Sequence, residues 1–188
     1  MPTAREALLS AARQALTGQP WATVRMVEVA AAAKVSRQTL YNEFGSKEGL
    51  GAALVVRQVE DFVAGAAASA TAARDGGGGP GVCCAAAARW VLCRAREEPL
   101  VRAALTGTWN TRLPTPPPGR PPRYVLDRLC AQVGAAVPGG ESVQVRRACE
   151  VGLRLALSYA LAPPGEDDIP ARLVHVVEAL LAARPGTG

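Results

Sequence analysis

The residues Ser36 to Phe44, SRQTLYNEF, gather amide, guanidinium, hydroxyl and phenol groups within a single short stretch. At about 100° per residue, Leu40 and Phe44 fall on one helical face, and Val35 just ahead can close over the same core. Gln38 and Asn42 lie opposite, flanked by Arg37, Thr39 and Tyr41. Side-chain amides can make paired hydrogen bonds to adenine, a guanidinium can do so to guanine, and a threonine methyl can meet that of thymine. The pattern therefore has the chemistry to read base edges in a DNA major groove, with Arg37 serving either a base or a phosphate. Lys47 follows in the first turn of the next helix, where its ammonium and the unpaired backbone N–H groups suit a phosphate. Tyr41 can approach a base edge or grip phosphate from the reading helix itself. The plainer alternative is a small helical hairpin whose polar face meets only water. Hairpin spacing, cap, two-sided helix and basic residue all occurring in order weigh against it.

Other chemistry finds little material. His175 is the only histidine and cannot supply a two-histidine metal site. The five cysteines, Cys83, Cys84, Cys93, Cys130 and Cys149, show no C-x-x-C spacing that would suggest structural zinc. Adjacent Cys83 and Cys84 could sense redox state or a thiophilic metal, but a buried pair of small apolar residues is the favoured reading. No nucleophile elbow or dinucleotide fingerprint occurs. No catalytic residue, metal or cofactor is assigned.

The reading residues need a platform. Val27, Val29, Ala30 and Ala33 give the preceding helix an inner face, Lys34 and Val35 form the turn, and Ser36 stands as N-cap. Upstream, Thr3 and Glu6 predict a capping box opening a helix that runs to about Thr17. Leu8, Leu9, Ala12, Ala15 and Leu16 form its buried stripe, and Trp21 is expected to plug the core. From Ser46 a long helix is predicted to about Ala73, with Leu50, Leu54 and Phe62 inside. Glycines at 49, 51 and 65 lower its helicity by about 1 kcal/mol each.

After the DGGGGPG connection, which lacks the Lys-Ser/Thr ending of a phosphate-binding loop, helices are predicted over Gly81–Glu98 and from Pro99 to about Thr106. The proline-rich Thr111–Pro122 reads as an irregular loop, and Arg123–Val137 as a helix. Glu141–Leu161 alternates like a strand, yet its length, its alanines and the lack of partner strands favour a helix covered on two sides. Ile169–Ala183 completes the set. The class is all-α, with a three-helix helix-turn-helix domain at 1–48 and a helical effector-binding and dimerisation domain at 49–188.

The run VAAAAKVSRQTLYNEFGSKEGL resembles the signature of TetR-family transcriptional regulators. Val35, Ser36, Thr39, Leu40, Tyr41, Phe44 and Lys47 stand where that signature expects them. Lys34 departs, occupying a turn where the family usually has glycine. A left-handed backbone there costs a lysine about 1 kcal/mol unless the turn changes shape. The close match covers roughly the first fifty residues. The resemblance implies a DNA-binding repressor, released from its operator by a small effector, with the last two helices forming a four-helix bundle between subunits.

Composition fits these expectations. Apolar residues make up 49% but aromatics only 4%, which suits closely packed helices better than sheets. A net charge of +5 permits a polyanionic partner, and the only two lysines, Lys34 and Lys47, fall in the motif. No membrane span or secretory signal is read, so the chain is expected to be cytoplasmic, with its cysteines reduced and buried. Surplus apolar surface on the last two helices suggests a homodimer, whose twofold would set two reading heads about 34–36 Å apart. Helices from Gly81 onward could enclose a mostly apolar effector cavity, with Trp90, Arg94, Trp109, Tyr124, Arg154 and Tyr159 as candidate lining. A rival reading is a helical small-molecule binder that no longer reads DNA.

Overall fold

The first helix begins where two backbone N–H groups find side-chain partners. Glu6 N–H donates to Thr3 Oγ1 at 3.2 Å, and Thr3 N–H donates to Glu6 Oε2 at 2.8 Å. The Thr3 backbone N–H foremost, and its hydroxyl second, hold the Glu6 carboxyl below its ordinary pKa. The helix, α1, spans Ala4–Gly18. This computed structural model describes residues 2–162 and 169–183, and every described element is helical.

A 3-10 turn at Trp21–Thr23 leads to α2 (Met26–Ala32), α3 (Arg37–Phe44) and α4 (Lys47–Asp75). Then come α5 (Pro80–Glu97), α6 (Pro99–Thr106), α7 (Pro122–Ala136), α8 (Val143–Leu161) and α9 (Ile169–Ala182). Proline opens α5, α6 and α7 at a position where its missing N–H costs nothing. Segment 143–161 is helical despite its alternating pattern, because α8 lies against α5, α7 and α9 and buries residues on several sides.

Two cores share the long α4, about 44 Å of helix. Leu8, Trp21, Val29 and Leu40 form the head core with Leu50, Leu54 and Val55 of α4 and Leu100 of α6. From Val59 onward α4 belongs to the body core, with Val91, Leu129, Leu153 and Leu173. The expected Trp21 plug is in place. Val27 is a correction: it is 38% exposed, because α2 turns only Val29 and Ala30 fully inward.

All three α4 glycines are required by close packing, Gly49 because a Cβ there would run into the Phe44 carbonyl oxygen. A Cβ on Gly65 would lie 2.1 Å from the Trp90 ring, whose Nε1 donates to Phe62 O at 3.2 Å. A Cβ on Gly51 would lie 2.7 Å from Pro114. The proline-rich segment is thus irregular, as expected, but it folds back onto the head. There Trp21 N–H donates to Arg112 O at 2.9 Å.

The cysteine expectation needs correcting. Cys84 on α5 and Cys149 on α8 are joined by a disulfide across a Cα separation of 5.3 Å. Two helices 65 residues apart in sequence meet in register there, which spacing alone could not reveal. Cys83 is a buried free thiol, Cys130 is half-buried and Cys93 is exposed.

Candidate nucleic-acid interface

Short helices need their ends satisfied, and α2 and α3 are joined by such a device. Val35 N–H donates to Ala30 O and Lys34 N–H to Ala31 O, both at 3.0 Å, with Lys34 at φ +56°. This is a Schellman closure with lysine in the left-handed position glycine usually takes. Lys34 therefore keeps the turn and carries the strain. Lys34→Gly is expected to raise unfolding stability by up to about 1 kcal/mol, less the entropy glycine adds to the unfolded chain. Denaturant titration checks this, and a stability loss would contradict the assigned backbone.

Ser36 accepts from Thr39 N–H at 3.0 Å and caps α3. Leu40 is 1% exposed and anchors the helix in the head core, with Phe44 partly buried beside it. Arg5 of α1 clasps the far end. Its guanidinium lies 4.7 Å from the Phe44 ring centroid, bonds Glu43 O at 3.3 Å and pairs with the Glu43 carboxylate at 3.5 Å. Nothing in the sequence marked Arg5, because the contact joins residues 38 apart.

The outward face carries the residues singled out from sequence. Gln38 Nε2 donates to Asn42 Oδ1 at 2.8 Å, an i,i+4 pair that pre-orients both amides. It leaves the Gln38 carbonyl oxygen and the Asn42 NH2 free, one acceptor and one donor of the kind adenine requires. Tyr41 is 49% exposed, and Arg37 is exposed without an ion pair to any described residue. The Thr39 hydroxyl is 2.9 Å from Ser36 Oγ, so the methyl is the group left for a base contact.

Lys47 is half-buried and stands apart from these. Its Nζ donates to Ala22 O at 2.8 Å and lies 5.7 Å from the Trp21 ring centroid. An ammonium has three donors, so two remain for a phosphate. Ser46 caps α4 by accepting from Gly49 N–H at 3.1 Å.

The six residues expected to line one effector cavity do not converge. Trp90 and Arg94 border a recess of about 140 Å³, while Trp109 and Tyr124 border another of about 20 Å³. Arg154 pairs with Glu150 at 2.8 Å on the surface of α8. Tyr159 packs on the body core, and its carbonyl oxygen accepts from Arg96 at 3.1 Å. A cleft of about 850 Å³ lies elsewhere, between head and body. Among the described residues no group of three or more His, Cys, Asp or Glu is placed to hold a metal ion. No described helix is long and apolar enough to cross a membrane.

Known proteins share this arrangement. Residues 8–54 match the family described as bacterial regulatory proteins, tetR family. Over 59 residues the chain is 41% identical to the HTH-type transcriptional regulator AlkX of Mycobacterium tuberculosis, a stretch covering 31% of this chain and 28% of that protein. The TetR-family repressor AlkX from Dietzia sp., implicated in biodegradation of n-alkanes, aligns over 94% of this chain and 92% of its own, with TM-score 0.56 and 23% identity. Thermus thermophilus FadR, a TetR-family repressor in complex with lauroyl-CoA, aligns over 98% of both chains, with TM-score 0.60 and 20% identity. At such identities the structural likeness is one of fold. The head, residues 8–54, thus matches the tetR family of bacterial regulatory proteins, and the described helices are laid out as in those solved structures.

Proposed function

We propose that the protein is a DNA-binding transcriptional repressor, cytoplasmic and homodimeric, released from its operator by a small-molecule effector. The observation that carries this is α3, pinned by Leu40 at 1% exposure while Arg37, Gln38, Tyr41 and Asn42 face outward. Gln38 and Asn42 read base edges, as does the Thr39 methyl. Tyr41 and Lys47 hold phosphate, and Arg37 serves either. Val143, Val151 and Leu161 stay exposed along α8, apolar surface that a second copy would cover. Effector binding favours a head spacing that no longer fits the operator, and by linkage DNA and effector weaken each other by the same factor. The rival reading, a binder that has lost DNA recognition, draws on Lys34 and on the modest basic charge. The left-handed backbone that Lys34 adopts supports the DNA-binding reading, because it keeps the turn in the form a glycine would give it.

The test uses the promoter region beside the protein's own gene. Lys47→Ala is expected to weaken binding to every sequence and reduce the salt slope by about one per head. Gln38→Ala is expected to cost about 1–3 kcal/mol per head on the operator and little on random DNA. Equal losses by both variants on operator and random DNA would overturn these roles, and sedimentation showing a monomer would overturn the dimer.

A further inference from the structure

Three adjoining recesses meet at Arg13 of α1 and Gln58 of α4, and the largest of the three, about 850 Å³, lies between α1 and the α5–α6 elbow. That volume is in the range of small-molecule sites. Gln58 is the buried polar side chain of the described core, 6% exposed, and its amide makes no hydrogen bond to any described residue. Gln58 borders all three recesses and retains access to them.

The charge of the large cleft is biased. Arg13, Arg96, Arg102 and Arg112 line it against Glu97 and Glu98. Glu98 is engaged by Arg13 at 2.5 Å and Arg94 at 2.8 Å, and Glu97 is paired with Arg94 at 2.7 Å. Arg102 is held by the carbonyl oxygens of Ala95 and Arg96. Arg112 makes no side-chain bond to a described residue and is left facing an uncompensated site. Leu16, Leu100 and Leu113 supply an apolar wall.

We propose that this cleft binds an organic anion, a carboxylate or phosphate group on an apolar body. Arg112 and Arg13 take the charge, Gln58 hydrogen-bonds the ligand's polar end, and the leucines cover the rest. The site spans a mechanical seam. Arg13–Glu98 ties α1 to the α5–α6 elbow, and the Trp21–Arg112 backbone bond ties the head to the 107–121 loop. An anion competing with Glu98 for Arg13 loosens one tie beside the other. The regulatory consequence, a changed head angle, rests on the repressor reading; the binding site does not.

Calorimetric titration of the full chain with octanoate, octyl phosphate and octanol tests it. Octanoate or octyl phosphate is expected to bind saturably, the tighter of the two naming the head group, with octanol at least 10-fold weaker. Arg112→Ala and Gln58→Leu are each expected to weaken the anion at least 10-fold. Circular dichroism melting verifies folding, and the exposed Arg112 variant carries the test if Gln58→Leu misfolds. Equal affinity for octanol, unchanged affinity in the variants, or no saturation by either anion overturns the site. Gel shift of ligand-free protein keeps the two readings apart: operator binding without anion binding sinks only this inference, and the reverse sinks only the repressor.

Discussion

Leu40→Ala is expected to destabilise the head by about 2–5 kcal/mol and to abolish operator binding. Leu40 is the one fully buried side chain of an eight-residue helix. A helix that short has no stability of its own in water and stands only through its packed face. Truncation removes the transfer free energy of the side chain and leaves a cavity among Leu8, Val29, Leu50 and Leu54. Against a total stability of about 5–15 kcal/mol, that loss unseats Gln38 and Asn42 from a fixed platform. Trp21, buried in the same core, reports head unfolding by fluorescence during denaturant titration. Val27→Ala is the control. Helical periodicity marks Val27 as inner, but its 38% exposure predicts a change within about 0.5 kcal/mol. Near-native operator affinity in Leu40→Ala, or a large loss in Val27→Ala, would contradict the assigned face.

Reducing the Cys84–Cys149 bond is expected to lower stability by about 4 kcal/mol, the loop-entropy value for a closure of this length. The sequence separation is 65, and the bond staples α5 to α8 within the body core. Denaturant midpoints with and without reductant measure the loss. Thiol counting checks the premise directly: unreduced, denatured protein should titrate three thiols, Cys83, Cys93 and Cys130. In the native state, alkylation should fall on exposed Cys93. Burial, above all, pushes Cys130 up to about 11, and burial also raises buried Cys83, so both stay protonated at neutral pH. Five thiols without reductant, or a midpoint indifferent to it, would show the pair to be open.

The sequence by itself determined the elements and the outward face of α3. The Thr3–Glu6 box, the Ser36 cap and the turn at Lys34 are local, involving residues within a few positions, so their chemistry is written in the order of the chain. The same holds for Leu40 inward and Gln38 and Asn42 outward, since one helical period fixes both. Contacts between distant segments were decided only by tertiary structure. Arg5 on Phe44, Pro114 against Gly51, Trp90 across Gly65 and Cys84 with Cys149 each join residues far apart in sequence. The cavity shows the difference most clearly. Aromatic and arginine residues of the body looked like lining, but dense alanine-rich packing around α5 scattered them. The large cleft opened instead where two cores meet along α4, beside a glutamine whose importance depends on what surrounds it.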